Sequence, residues 1–408
     1  MVVVIHKHEL AKIMKRLGGE KSFDMSLVVE KLEKKGNKIV KMHIGQSNFK
    51  TPEHIVEAGV KALYDGLTGY TPSPGTMECR EAVANFIPKH RSVYGDIGPE
   101  NVVITPGGKP VIFFGILSTI DKGDEVLYPN PGYPIYISAI DIAKGKGIPY
   151  AGVDDLKGKI NKRTKMVIIN SPHNPTGEII GKKDLEEIAY LVVEEYDSLV
   201  MSDEVYSRIL YPAGSKFESI LQFPGMLERT IMLDCHSKTY AMPGWRFGYG
   251  VGAPKYINAI SEWITNTSAC VPGFVQKAGI AAMERDQTCV DEMVKEFERR
   301  RDLTVKLFDG IDDIYCPEPG GAFYAFLDVG ELCGKGKKFK NSTDMQEKIL
   351  HEAFVSTLSG THFGIKNGYE KTEPKEYIRL AYTVSQEEIK EGHRRISDYL
   401  FNSHYNSL

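Results

Sequence analysis

Paired cysteines, membrane-length apolar runs and one-sided charge are all missing from this chain, and each absence removes a class of function. The six cysteines (Cys79, Cys235, Cys270, Cys289, Cys316 and Cys333) lie far apart with no CxxC pair. That spacing argues against a zinc ribbon and against a disulfide framework, and for a reducing compartment. The longest apolar stretch, Val111 to Ile120, falls far short of the roughly 20 residues a membrane span needs. Val2 to Ile5 turn polar at His6, so no secretory core follows. Basic residues number 51 against 54 acidic ones, a net charge of −3 with no block of either sign. Binding driven by phosphate neutralisation calls for a more basic chain. A cytoplasmic protein with neither nucleic acid nor membrane as partner is expected. His6 and His8 could bind a metal, but they read better as part of a solvated arm, and no metal site is assigned.

What the chain does have is length and a two-part texture. Its 408 residues, 42% apolar and 26% charged, suit a soluble protein of about two or three domains. From about residue 50 to 285, short β-branched runs alternate with helical patterns. Residues 101–105, 125–129, 165–170, 198–203, 230–234 and 247–252 read as strands. Between them Leu185, Ile188, Ala189, Val192 and Val193 keep helical spacing, as does the stretch from Glu81 to Phe86. Strands alternating with helices predict an α/β domain with a mostly parallel sheet flanked by helices. After a charged helix around 290–310 the texture changes to a smaller α+β domain, joined by the segment before residue 45. The predicted division is 1–45 (arm and part of the small domain), 46–288 (large domain) and 289–408 (small domain). A cleft between two such domains is a common ligand site.

Several strand ends carry reactive residues. Lys238 follows the strand 230–234, with Arg246 eight residues on, which allows a Schiff-base amine beside an anion site. Taken alone, a surface lysine and a salt-bridged arginine explain the same letters. Asp203 closes the buried run Leu199-Val200-Met201, where a carboxylate can keep a heteroaromatic nitrogen protonated; Tyr206 can donate to a phenolic oxygen. A helix N-cap would account equally for that aspartate. Asn174 is presented by the rigid loop Asn170 to Gly177. Gly107-Gly108-Lys109 opens a helix after the first strand, a backbone arrangement that favours phosphate. Tyr70 sits on a turn. Each has an ordinary explanation in isolation; together they do not.

With these motifs in this order, the chain resembles the class I/II aminotransferases, fold type I enzymes that use pyridoxal 5'-phosphate. The likeness runs from about Gly45 to Arg379 and rests on Asn174-Pro175-Thr176-Gly177, Ser202 to Tyr206 and Ser237 to Tyr249. The resemblance implies that Lys238 bonds the cofactor aldehyde and that Asp203 pairs with its ring nitrogen. Asn174 and Tyr206 would hold the phenolic oxygen, and Tyr133 would stack on the ring. Arg246, Ser237 and the Gly107-Gly108-Lys109 turn would bind the phosphate. Tyr70 would reach the phosphate of a neighbouring subunit, which implies a homodimer with shared sites. Arg379 would clamp the substrate α-carboxylate, with Gly45 close by and Asn174 assisting. The implied reaction passes an amino group from an L-amino acid to a 2-oxo acid by ping-pong kinetics, with Lys238 as the proton carrier.

Three positions depart from the family pattern. Cys235 stands where many relatives have serine, Pro243 where threonine is frequent, and residues 150–156 look shortened by roughly ten residues. Residues 256–276 contain neither Arg nor Lys, so the arginine that reads a distal carboxylate in one aspartate-using branch is not there. In another branch a lysine at the position of Lys109 does this work, which favours aspartate or glutamate as substrate. Lys109 could instead simply sit near the cofactor phosphate. Aromatic or alanine-like donors stay open, as does a lyase, cyclase or oxidase using the same cofactor. Gly248-Tyr249-Gly250-Val251-Gly252 lacks the GxGxxG spacing of a dinucleotide loop.

Overall fold

The strand runs identified above assemble into one sheet. In a computed structural model, which describes residues 10–15, 17, 21–364 and 376–402, twelve strands form. They are β1 (Val40–Lys41), β2 (Val102–Thr105), β3 (Glu125–Pro129), β4 (Lys146–Tyr150), β5 (Thr164–Asn170) and β6 (Leu199–Asp203). They continue as β7 (Thr230–Cys235), β8 (Gly248–Gly252), β9 (Tyr324–Asp328), β10 (Val355–Ser356), β11 (Leu358–Ser359) and β12 (Tyr377–Ala381). Seven of them make the large sheet, in the order β2-β8-β7-β6-β5-β3-β4. Only β8 runs against the rest, pairing antiparallel with both β2 and β7.

Alternation along the central strands explains why the sheet is covered on both faces. In β5, Met166 and Ile168 enter one buried cluster with Val111, Ile112 and Ile116 of the helix Lys109–Thr119. Val167 and Ile169 enter another, with Leu185, Ile188 and Ala189 of the helix Lys182–Tyr190. That helix was expected to include Val193. It does so through a wider π turn over Leu191–Glu195, still burying Val192. The fold is α/β, with a mostly parallel sheet between helical layers.

One strand of the large sheet was missed. The edge strand β4 reads KGIPY, and its glycine and proline look like a loop in sequence. An edge position tolerates a proline because one side of the strand needs no donor. The short stretch that follows is a left-handed Gly152 and the helix Val153–Lys159, which returns the chain to β5.

The C-terminal part carries the antiparallel sheet β11-β12-β9. The helix Thr288–Phe308 supplies Phe297 and Phe308, and the helix Gln386–Asn402 supplies Ile389 and Ile396, to one core with Val40 and Met42. The segment before residue 45 joins this part through β1, which pairs in parallel with β10. The helix Lys21–Glu33 packs Met25 and Val29 against Phe326, Leu350, Leu358 and Phe363. Among the described residues no helix is long and apolar enough to cross a membrane, and no cluster of His, Cys, Asp and Glu could hold a metal ion. His6 and His8 lie outside the described residues.

Candidate active site

Chain direction alone gathers most of the site. Strands β3, β5, β6 and β7 are parallel, so Tyr133, Asn174, Asp203 and Lys238 follow the same edge of the sheet. β8 runs the other way, which brings Arg246, just before its start, to that edge as well. The carboxyl edge of a parallel sheet is where such folds bind ligands. Here it opens on a cavity of about 560 Å³. Lys238, Asp203, Asn174, Tyr206, Tyr133, Ser237, Gly108, Lys109, Arg246, Gly45 and Arg379 all line it, as does Cys235. Gly107 lies just behind.

At one end the cavity suits an anion. Gly107 has φ of 87°, and a Cβ there would fall 2.2 Å from Arg246 Nη2, so the backbone lies directly against the guanidinium. Arg246 is held by the backbone carbonyls of Pro243 and Pro106, at 2.9 and 3.1 Å, a contact that a threonine at 243 would also supply. The helix Lys109–Thr119 begins beside it, with the positive end of its dipole toward the cavity. Ser237 adds a hydroxyl, while Cys235 presents a buried thiol, a weaker donor than the expected serine.

At the floor the cavity suits a cation. Asp203 is 4% exposed, and burial pushes its carboxyl up to about 6. Asp234 and Glu204 nearby push in the same direction, while a hydrogen bond from Tyr136 opposes them. Tyr136 Oη donates to Asp203 Oδ2 at 2.6 Å. The sequence reading missed this residue, although it stands three positions after Tyr133. A protonated heterocycle above Asp203 would restore its ordinary acidity.

At the other end the cavity suits a carboxylate. Arg379 sits in the middle of β12, opposite Phe326 on one side and Leu358 on the other. Its Nη2 donates to the His43 carbonyl at 2.7 Å and its Nη1 to Asn174 Oδ1 at 3.1 Å. Its face rests on the rings of Tyr324 and Phe363. Lys238 Nζ lies between the two ends and donates to the Gly45 carbonyl at 2.6 Å. Tyr206 is buried, and its hydroxyl meets that of Tyr324 at 2.8 Å. Lys109 turns toward the N-terminal helix, with Nζ 5.3 Å from the Phe23 ring centre. Ser22, Phe23, His362 and Phe363 also line the wall, and none of them carried a signal in sequence.

Tyr70 is the exception. It is 92% exposed and does not line the cavity of its own chain. The helix 153–159 contributes nothing to the cavity either, so the shortened stretch does not touch the site.

Comparison with known proteins agrees with this architecture. The family described as aminotransferase class I and II matches residues 37–396. A (5-formylfuran-3-yl)methyl phosphate transaminase of Methanocaldococcus jannaschii is 37% identical, over 95% of this chain and 99% of its own. An aromatic-amino-acid aminotransferase of Thermococcus litoralis is 35% identical, over 89% of this chain and 92% of its own. Among solved structures, the aspartate aminotransferase of Rhizobium meliloti superposes with a TM-score of 0.87 at 28% identity, covering 96% of this chain and 98% of that one.

Proposed function

The chain belongs to the class I and II aminotransferases and is a transaminase; on that premise we propose that it binds pyridoxal phosphate in the cavity and favours acidic L-amino acids as donors. One observation supports this above all: Lys238, Asp203 and Arg246, from the ends of three strands of the large sheet, and Arg379, from the middle of β12, converge on a single cavity. That the similar proteins are named as transaminases favours this reaction over the lyase, cyclase and oxidase alternatives.

In this proposal Arg246, Ser237 and the Gly107-Gly108-Lys109 turn hold the cofactor phosphate. Asn174 and Tyr206 hold its phenolic oxygen, and Tyr133 covers its ring. When bound, the cofactor supplies an aldehyde carbon that accepts the amine and a pyridinium that withdraws electrons. Asp203 keeps the proton on the ring nitrogen, which a carboxylate can do only if a cation relieves its burial. Arg379 takes the substrate α-carboxylate in two parallel hydrogen bonds, fixing Cα beside Lys238. Once the substrate amine has displaced it, Lys238 Nζ would be free to take the proton from Cα and return it to the cofactor's former aldehyde carbon, across the intervening nitrogen. The oxo acid leaves before the second substrate enters, hence ping-pong kinetics. Residues 46–288 would hold the cofactor, while 289–408, with the segment before 45, carry the carboxylate clamp.

Lys109 fits the acidic preference, since its ammonium lies over the ring of Phe23, on the wall of the cavity. Lys109→Ala should lower kcat/KM for aspartate and glutamate by roughly tenfold to a hundredfold, the worth of one charge-assisted hydrogen bond. Alanine should be unaffected. A uniform loss across donors would return Lys109 to the cofactor phosphate. The Methanocaldococcus relative supports a second reading, in which the same cation meets a phosphate-ended acceptor. Assaying (5-formylfuran-3-yl)methyl phosphate beside 2-oxoglutarate separates the two.

A homodimer fits the remaining surface. Tyr64 and Tyr70 are about nine-tenths exposed, next to exposed Val60, Leu63 and Leu67. A partner chain covering this face would carry Tyr70 into the neighbouring site, and sedimentation velocity tests it. Six free cysteines favour a cytoplasmic setting.

A further inference from the structure

Tyr324 stands between the two halves of the site, and the chemistry above gives it no task. It opens β9, is 2% exposed, and makes three contacts that together are unusual. Its hydroxyl lies 2.8 Å from that of Tyr206. Its ring lies under Arg379, with the guanidinium carbon 4.3 Å from the ring centre. Its hydroxyl also fills the place of a missing side chain: a Cβ on Gly45 would fall 1.9 Å from Tyr324 Oη. Gly45 in turn offers its carbonyl to Lys238. One phenol thus touches the partner of the cofactor oxygen, the carboxylate clamp and the resting place of the amine.

We propose that Tyr324 is a positioning residue whose hydroxyl orients Tyr206 toward the cofactor and whose ring sets the height of Arg379, with Gly45 kept bare to seat it. Two neutral phenols in contact must share one hydrogen bond, and Tyr324 donates so that Tyr206 keeps its own proton for the cavity. Such donation strengthens the outgoing bond from Tyr206. The ring face attracts the guanidinium without offering it an anion that would compete with substrate. This role presupposes that the cavity holds pyridoxal phosphate.

The two duties separate in the holoenzyme. Tyr324→Phe removes only the hydroxyl. Weaker donation from Tyr206 then stabilises the cofactor phenolate less, so the pH midpoint of the visible absorbance band should rise by about half a unit to one and a half units. KM for amino donors should stay within about twofold, because the ring remains under Arg379. Tyr324→Leu should raise KM for every donor by about two- to thirtyfold, the span of a cation–π contact. Gly45→Ala, which displaces the hydroxyl, should reproduce the shift in midpoint. In a Tyr206→Phe background, Tyr324→Phe should add no further shift. An unchanged midpoint in Tyr324→Phe overturns the role of the hydroxyl, and an undiminished shift without Tyr206 overturns its route. An unchanged KM in Tyr324→Leu overturns the role of the ring. If the wild-type protein itself takes up no cofactor and shows no visible band, the occupancy of the cavity is refuted, and the role of Tyr324 with it.

Discussion

Replacing Arg91 by leucine should cost more stability than any single change to a cavity-lining residue. Arg91 follows the helix Met77–His90 and is completely buried. Its Nε donates to Glu204 at 2.7 Å, and its Nη2 donates to both Ser207 and Asp234. Glu204 and Asp234 are 1% and 5% exposed in their side chains, so neither can turn to water if the guanidinium is lost. Breaking a buried pair by removing one partner costs about 3–5 kcal/mol. That is a large part of the roughly 5–15 kcal/mol that holds a typical protein together. Burial already raises both carboxyls and Arg91 opposes it, so without Arg91 they rise further. The folded variant then binds protons that the unfolded chain does not, and its stability must fall as pH rises. Urea unfolding at pH 8 and pH 5.5 should therefore show a deficit that shrinks on acidification. The change should approach about 1.4 kcal/mol per pH unit for each carboxyl taking up a proton. Adding Glu204→Gln and Asp234→Asn removes the stranded charges and should recover much of the loss. A deficit below about 1 kcal/mol at both pH values, or one that grows in acid, would refute this account of the cluster.

Other outcomes follow from the same geometry. Arg379→Lys keeps the charge but loses the planar pair of donors, so KM should rise about a hundredfold for every amino acid; an unaffected KM removes Arg379 as the carboxylate clamp. Tyr136→Phe strips Asp203 of the hydrogen bond that lowers its pKa. Its hold on the ring nitrogen weakens, and the dissociation constant for pyridoxal phosphate, titrated against apoenzyme, should rise about tenfold or more. His236 is 2% exposed, and burial pushes its imidazole down to about 3. The unfolded chain binds that proton below about pH 6.5 and the folded one does not, so stability drains away as pH falls through this window. His236→Gln should flatten the pH 6 to 4.5 limb by about 1.4 kcal/mol per unit, whatever its cost in packing. Parallel limbs would show that His236 is charged in the fold.

The parts legible in sequence were those whose chemistry coincides with a local pattern. Asp203, Asn174 and Lys238 each stand at or just after the end of an apolar run, and a parallel sheet turns such ends into neighbours. Arg379 could be assigned only through resemblance, because nothing in Tyr377-Ile378-Arg379-Leu380 indicates that β12 faces the cavity. Strand β4 escaped because its glycine and proline imitate a turn, and only its edge position makes them acceptable. Tyr136 and Tyr324 escaped for another reason. Their partners, Asp203 and Tyr206, are 67 and 118 residues away, and a tyrosine in an apolar stretch otherwise signals packing. Arg91 looked like one more charge after a helix; its burial depends on Glu204 and Asp234 meeting it from two strands. Tyr70 has its meaning only if a second chain is present.

That arginine also explains why the site is chemically selective. Three acids, Asp203, Glu204 and Asp234, are buried at the ends of adjacent strands β6 and β7. Left together they could not all ionise. Arg91 pairs with two of them; the hydroxyls of Ser202 and Ser219 take the other oxygen of Glu204, the Cys235 amide takes the other oxygen of Asp234, and Tyr249 shares the Asp234 oxygen that Arg91 holds. Asp203 has a phenol and a distant backbone amide, and among the described residues it forms no ion pair. Its two neighbours, though paired, still raise it. Of the three acids, Asp203, under the cavity, is thus the one that Arg91 does not pair. A ligand with a basic ring nitrogen supplies a counter-charge and is held protonated by Asp203, whereas a neutral ring leaves the burial of the carboxylate uncompensated. Cofactor binding should therefore weaken as pH rises through the ring nitrogen's own pKa.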